Sequence, residues 1–184
     1  VHAVHLAADE IALLVEHGCH VAHCPSSNLK LASGIAPVAR LLAEGVNVGI
    51  GTDGAASNNR LDVLSEMRLA ALLAKGASGI ATALPAHAAL QMATLNAARA
   101  LGMDDCIGSI TPGKYADMTA VRLDSIELAP CYDPVSQLAY AAGREHVSHV
   151  WVNGELLVRD GALTRLDAQE LTARAAQWQK RIGG

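Results

Sequence analysis

The chain has 184 residues, with 14 Lys and Arg against 18 Asp and Glu, and its formal charge of −4 excludes nucleic acid and anionic membrane surfaces as expected partners. Half of it (51%) is hydrophobic and 17% charged, which excludes a disordered chain; with aromatics at 3% and no Phe, the core must be small aliphatic side chains packed closely. No apolar run reaches the ~18 residues of a bilayer span, and VHAVHLAADE offers neither a basic n-region nor a small-residue cleavage site, so a soluble, cytoplasmic protein is expected.

Val1 already stands inside a strand-like run, VHAVHL, with no initiator Met and no polar lead-in, so the sequence reads as a piece of a longer chain. ADEIALLVEHG then repeats apolar positions at helical spacing and stops at Gly18. HVAHCP is a short strand stopped by Pro25, SSNLKLASGI a turn-rich loop, and PVARLLAEG a helix from Pro37 to Gly45. VNVGIGTDG is a strand running into a loop. LDVLSEMRLAALLAKG and AHAALQMATLNAARALG are amphipathic helices ended by Gly76 and Gly102. Three β-then-α units in succession predict an α/β fold with parallel strands.

After about residue 108 the pattern changes to period two, with turn dipeptides at Pro112-Gly113, Asn153-Gly154 and Asp160-Gly161. Asn153-Gly154 between VSHVWV and ELLVRD predicts a hairpin. Tyr132, Asp133 and Pro134 read as a turn, and 167–182 as a polar-faced helix closing the domain, with Leu171, Ala175 and Trp178 at helical spacing. Cys19, Cys24, Cys106 and Cys131 are too few and too irregularly spaced for a disulfide framework, so reduced thiols are expected.

Asp53 follows the strand VNVGI between two glycines, at the strand end where parallel α/β folds build sites. On local sequence alone it reads equally as an Asx cap of the following turn. His2 and His5, three apart on a strand, point to opposite faces and form no common chelate. CHVAHC places Cys19 and His23, and likewise His20 and Cys24, on shared faces but roughly 13 Å apart at ~3.3 Å per residue, too far for one zinc. His17, His87, His146 and His149 demand no function, and the loop Ser26, Ser27, Asn28 is left open between capping a helix and touching a ligand. The H-x-E with P-C-x-x-C signature of cytidine-type deaminases is absent.

Taken together, VHAVHL, AHCPSSNLKLASGIAPV, GIGTDGAASNN, ATLNAARALG and IGSITPGKYADM resemble the C-terminal half of a metal-dependent amidohydrolase. The pairing of SNLKL with GTDGAASNN is specific for the ATZ/TRZ group and its 5-methylthioadenosine/S-adenosylhomocysteine deaminases. The resemblance implies a distorted (β/α)8 TIM-like barrel holding one divalent metal, with zinc the usual occupant, and a small β-sandwich built from both ends of the full chain. Residues 1–108 would be barrel units six to eight with the helices after them, and 109–184 the C-terminal part of the sandwich with its terminal helix.

By the same resemblance His2 matches the strand-six histidine beside the metal-bound water, and Asp53 the strand-eight aspartate that binds metal, touches substrate and shuttles protons. The implied reaction is deamination of a purine nucleoside thioether: metal-bound hydroxide attacks C6 of the adenine ring, Asp53 takes its proton, and His2 donates a hydrogen bond. The His-x-His pair, the strand-five histidine and the general-acid glutamate of the family all fall upstream of Val1, so these 184 residues alone are expected to be inactive. The open alternatives are an s-triazine hydrolase, a guanine deaminase or a non-catalytic barrel module. A homo-oligomer is expected.

Overall fold

The computed structural model describes residues 1–183, and its ordered elements make an α/β layer followed by an antiparallel sheet. The opening run is not a strand. His2 and Ala3 take positive φ (71° and 51°), which breaks the extended alternation, although the His2 N–H still bonds the Ala22 carbonyl at 2.9 Å. Helix α1 (Ala8–Glu16) comes next, with the Glu10 carboxylate accepting the Ala7 N–H at 2.7 Å and Ile11 buried.

Strand β1 (His20–His23) pairs in parallel with β2 (Asn47–Ile50), in register from His20 opposite Asn47 to His23 opposite Ile50. The expected three β-then-α units are thus represented by two parallel strands among the described residues. The crossover between them holds two short helices. Pro25 does stop β1, but a proline at the first helical position also starts a helix, and α2 (Pro25–Lys30) replaces the first half of the expected loop. Helix α3 (Val38–Ala43) begins just after Pro37, as expected.

Helix α4 (Val63–Ser78) runs through Gly76 and ends at Gly79 in the left-handed conformation (φ 69°). Asp62 starts it, accepting the Leu64 and Ser65 N–H groups. The long helix expected next is two pieces, α5 (Ala86–Ala93) and α6 (Leu95–Ala100), broken at Thr94. Helix α6 lies against β2 so closely that a Cβ on Gly49 would sit 2.9 Å from the Ala97 Cα. Reciprocal bonds rivet the pair: Asn47 Nδ2 to the Asn96 carbonyl (2.9 Å), and Asn96 Nδ2 to the Val48 carbonyl (3.2 Å). The core of this layer is Ile11, Val21, Leu41, Val48, Met67, Met92 and a set of alanines, as the composition requires.

The second region is a four-stranded antiparallel sheet, β3 (Met118–Val121), β4 (Val147–Val152), β5 (Glu155–Arg159) and β6 (Ala162–Leu163), in that spatial order. The Asn153-Gly154 hairpin forms as expected. Between β3 and β4 the supposed turn at Asp133 is a helix start. Asp133 accepts the Val135 and Ser136 N–H groups and opens α7 (Pro134–Tyr140). Arg68 of α4 donates to the Ala142 carbonyl (2.6 Å), fastening this segment to the first layer. The last helix, α8 (Ala168–Ile182), buries no residue among those described, so it does not close the domain as expected. All four cysteines are free thiols.

Candidate active site

Asp53 lies three residues past the end of β2 and takes the left-handed conformation itself (φ 61°), which an aspartate tolerates better than most side chains. That kink turns its carboxylate back over α2. Ser27 and Ser57 both donate to its Oδ2, each at 2.6 Å, and no side chain among those described donates to Oδ1. The Ser27 hydroxyl, then that of Ser57, then the Gly54 N–H hold the Asp53 pKa at about 2, so it is a carboxylate at neutral pH. The side chain is one-third exposed.

His2 faces the same carboxylate, its Nε2 3.9 Å from Asp53 Oδ2, and its Nδ1 meets Asn28 Oδ1 at 2.8 Å. Helix α2 therefore holds both groups from adjacent residues, Ser27 on the aspartate and Asn28 on the histidine. Just beneath, His23 is 2% exposed with neither ring nitrogen partnered in the structure. Burial, and then the neighbouring His2, lower its pKa to about 4, so it is neutral near pH 7. Burial pushes the Cys24 thiol up, as do the charges of Asp53 and Glu66, so it stays protonated.

The loop carrying Asp53 is tied down at several points. Lys30 Nζ donates to the Ala56 carbonyl and to Asn59 Oδ1, both at 2.7 Å. Glu66 of α4, 1% exposed, accepts the Ser26 N–H (3.0 Å) and Asn58 Nδ2 (2.8 Å). Sequence reasoning singled out His2 and Asp53, which the fold brings together, and left Ser26, Ser27 and Asn28 undecided. It missed Ser57, Lys30 and Glu66. The available signal was Glu66 standing in the apolar stripe formed by Met67, Ala70, Ala71 and Ala74 of an otherwise amphipathic helix. Cys19 and His20 are exposed while His23 and Cys24 are buried, which scatters the CHVAHC segment.

A divalent cation needs ionised or lone-pair donors directed at one point, and a catalytic zinc takes about three from the protein. Asp53 Oδ1 is such a donor. Among the described residues no group of three His, Cys, Asp or Glu side chains could hold a metal ion. The site therefore fits a metal as one contributor to a larger ligand set.

Comparison with known proteins places the chain in a family. The model of the amidohydrolase family matches residues 1–157. A 5-methylthioadenosine/S-adenosylhomocysteine deaminase from Teredinibacter turnerae is 51% identical over 183 residues, covering 100% of this chain but 41% of that protein. A zinc-bound adenosine deaminase structure from Xanthomonas campestris superimposes with a TM-score of 0.96 at 50% identity, covering 98% of this chain and 41% of that one. Atrazine chlorohydrolase from Arthrobacter aurescens TC1, complexed with zinc, gives 0.88 at 32% identity over 96% of this chain and 39% of that one. The chain thus spans about two fifths of the relatives it matches.

Proposed function

The chain belongs to the amidohydrolase family, and from that premise we propose that it is the C-terminal part of a metal-dependent aminohydrolase that deaminates 5′-methylthioadenosine and S-adenosylhomocysteine. In this reading residues 1–108 are units six to eight of a (β/α)8 barrel and 109–184 part of a β-sandwich. Upstream chain supplies the remaining units and metal ligands. The enzyme is a cytoplasmic homo-oligomer with one zinc per site. The deaminase named in Teredinibacter turnerae, alike over the whole of this chain, supports the substrate class.

One observation carries the reading: the Asp53 carboxylate is pinned through Oδ2 by two serines, with His2 Nε2 3.9 Å from that same oxygen and Oδ1 left without a side-chain donor among the described residues. Asp53 would hold the cation through Oδ1. The chemistry a bound zinc supplies is acidification of water, from a pKa of 15.7 to about 7. Asp53 would accept at Oδ2 the proton that the attacking water gives up, one serine hydroxyl turning from donor to acceptor to receive it. With its Nδ1–H donating to Asn28 Oδ1, the neutral His2 ring would present Nε2 to the reacting water as a hydrogen-bond acceptor.

The test is ammonia release from 5′-methylthioadenosine by the full-length protein. Chelation should abolish turnover and zinc restore it, and Asp53→Asn should lower it at least about 100-fold. Deamination that survives complete chelation would refute the mechanism. The likeness to atrazine chlorohydrolase favours a second reading, an s-triazine hydrolase. Release of chloride from atrazine, without deamination of the nucleoside, would select it. A guanine deaminase would release ammonia from guanine instead, and a zinc-loaded protein turning over none of the three would be a non-catalytic module.

A further inference from the structure

Glu66 is an ionisable side chain that the mechanism above does not use, and it is buried in a face of α4 otherwise made of methionine and alanine. Removing a carboxylate from water costs several kcal/mol unless hydrogen bonds replace the solvent. Here both replacements are neutral amides: the Ser26 N–H on Oε2 and Asn58 Nδ2 on Oε1. The orientation of Asn58 is fixed independently, because its Oδ1 accepts the Arg60 and Leu61 N–H groups at 3.2 and 3.4 Å.

The two residues that Glu66 grips are the immediate neighbours of the two serines that hold Asp53. Ser26 precedes Ser27 at the start of α2, and Asn58 comes directly after Ser57 in the Asp53 loop. One carboxylate on one rigid helix thus sets the spacing between two segments whose hydroxyls converge on a single oxygen at 2.6 Å. We infer that Glu66 is a positioning residue for Asp53, a brace across α2 and the 53–59 loop that presents the Asp53 carboxylate to the cation in one orientation. This rests on the reading of Asp53 as a metal ligand.

The experiment measures zinc affinity of the full-length protein by competition with a chromophoric chelator, alongside kcat and KM for 5′-methylthioadenosine and a zinc-free melting curve. Glu66→Gln puts an amide N–H against an existing donor, and zinc affinity should fall about 10-fold or more, with kcat falling further than KM changes. Asn58→Asp sets two carboxylates face to face and should be worse. The double variant E66Q/N58D rebuilds the bond in reverse, the new amide donating to the new carboxylate, and should return zinc affinity to within about 3-fold of the parent. If E66Q does not fold, Asn58→Ala carries the test, because it deletes one donor without creating a clash.

Zinc affinity unchanged within about 2-fold in folded E66Q or N58A, or a double variant no better than the worse single one, would overturn the inference. Asp53→Ala separates the two levels. If D53A loses zinc while E66Q keeps it, only the brace fails. If D53A binds zinc as the parent does, the metal-ligand reading falls and takes the brace with it.

Discussion

The layer from α1 to α6 and the sheet β3–β6 draw on the same small aliphatic residues but use them differently. In the first, Ile11, Leu41, Val48, Met67 and Met92 reach zero exposure between helices and the parallel pair β1–β2. In the second, every residue of β3, β4 and β5 is half-buried or exposed, β6 is exposed, and α8 buries nothing. Among the described residues beyond position 108, the fully buried apolar side chains are Leu128, Ala139 and Ala142, and Ala139 packs into the first region's core. Within the described residues the first region is held by burial and the second by its ladder and turns. The candidate site rests entirely on the first, where α2, the 53–59 loop and α4 meet.

The largest expected difference comes from matched truncations. Leu41→Ala should cost about 2–5 kcal/mol, because it empties a site with no solvent access, while Leu156→Ala on half-buried β5 should cost about 1 kcal/mol. Urea unfolding of both variants beside the parent chain checks this. Equal costs would break the comparison by showing that the sheet has a core of its own.

Acid should weaken the first region selectively. The His23 pKa is lowered in the fold from 6.5 to about 4, mainly by burial. Between those values the unfolded chain binds a proton that the folded chain refuses, so stability is fully present above pH 6.5 and declines as the pH falls toward 4. The loss is of order 3 kcal/mol at most. Hydrogen exchange should show protection in β1 and β2 falling across that window while β4 and β5 keep theirs, and His23→Gln should flatten the response. An unchanged β1 at about pH 4.5, inside that window, would contradict the assignment.

What could be read from the residues divides along the same line. Turn chemistry was legible: Asn153-Gly154 makes its hairpin because both residues accept positive φ. Asp53 was legible as a strand-end residue, and the resemblance chose between cap and site. The co-occurrence of SNLKL with GTDGAASNN was visible as a pattern, and its cause is contact, since Ser27 and Lys30 bind Asp53, Ala56 and Asn59 directly. Backbone conformation was not legible. VHAVHL has strand composition, yet His2 and Ala3 turn left-handed, and Thr94 splits one periodic pattern into two helices. Pro25 both ends β1 and starts α2, and Asp133-Pro134, which has turn composition, caps and starts α7. Glu66 escaped because its partners are a backbone amide 40 residues away and an asparagine in a loop, which no local period encodes.

The smallest effect sharpens the comparison furthest, because it sets the same residue at the same position in both regions. Asp62 caps α4 with a side chain 2% exposed, accepting the Leu64 and Ser65 N–H groups and the Ser65 hydroxyl. Asp167 caps α8 on the surface, accepting the Gln169 and Glu170 N–H groups. Asp62→Ala should cost about 1–2 kcal/mol in urea unfolding, since it leaves half-buried donors unpaired, whereas Asp167→Ala should stay within about 0.5 kcal/mol. Helix α8 has no buried face to share its stability with the rest of the chain, and a helix of that length is marginal alone. Loss of its cap should therefore appear as reduced helical circular dichroism with the unfolding midpoint unmoved. A midpoint that shifts with Asp167→Ala as much as with Asp62→Ala would show that α8 is docked on the protein in solution, and that the second region is held by more than its own hydrogen bonds.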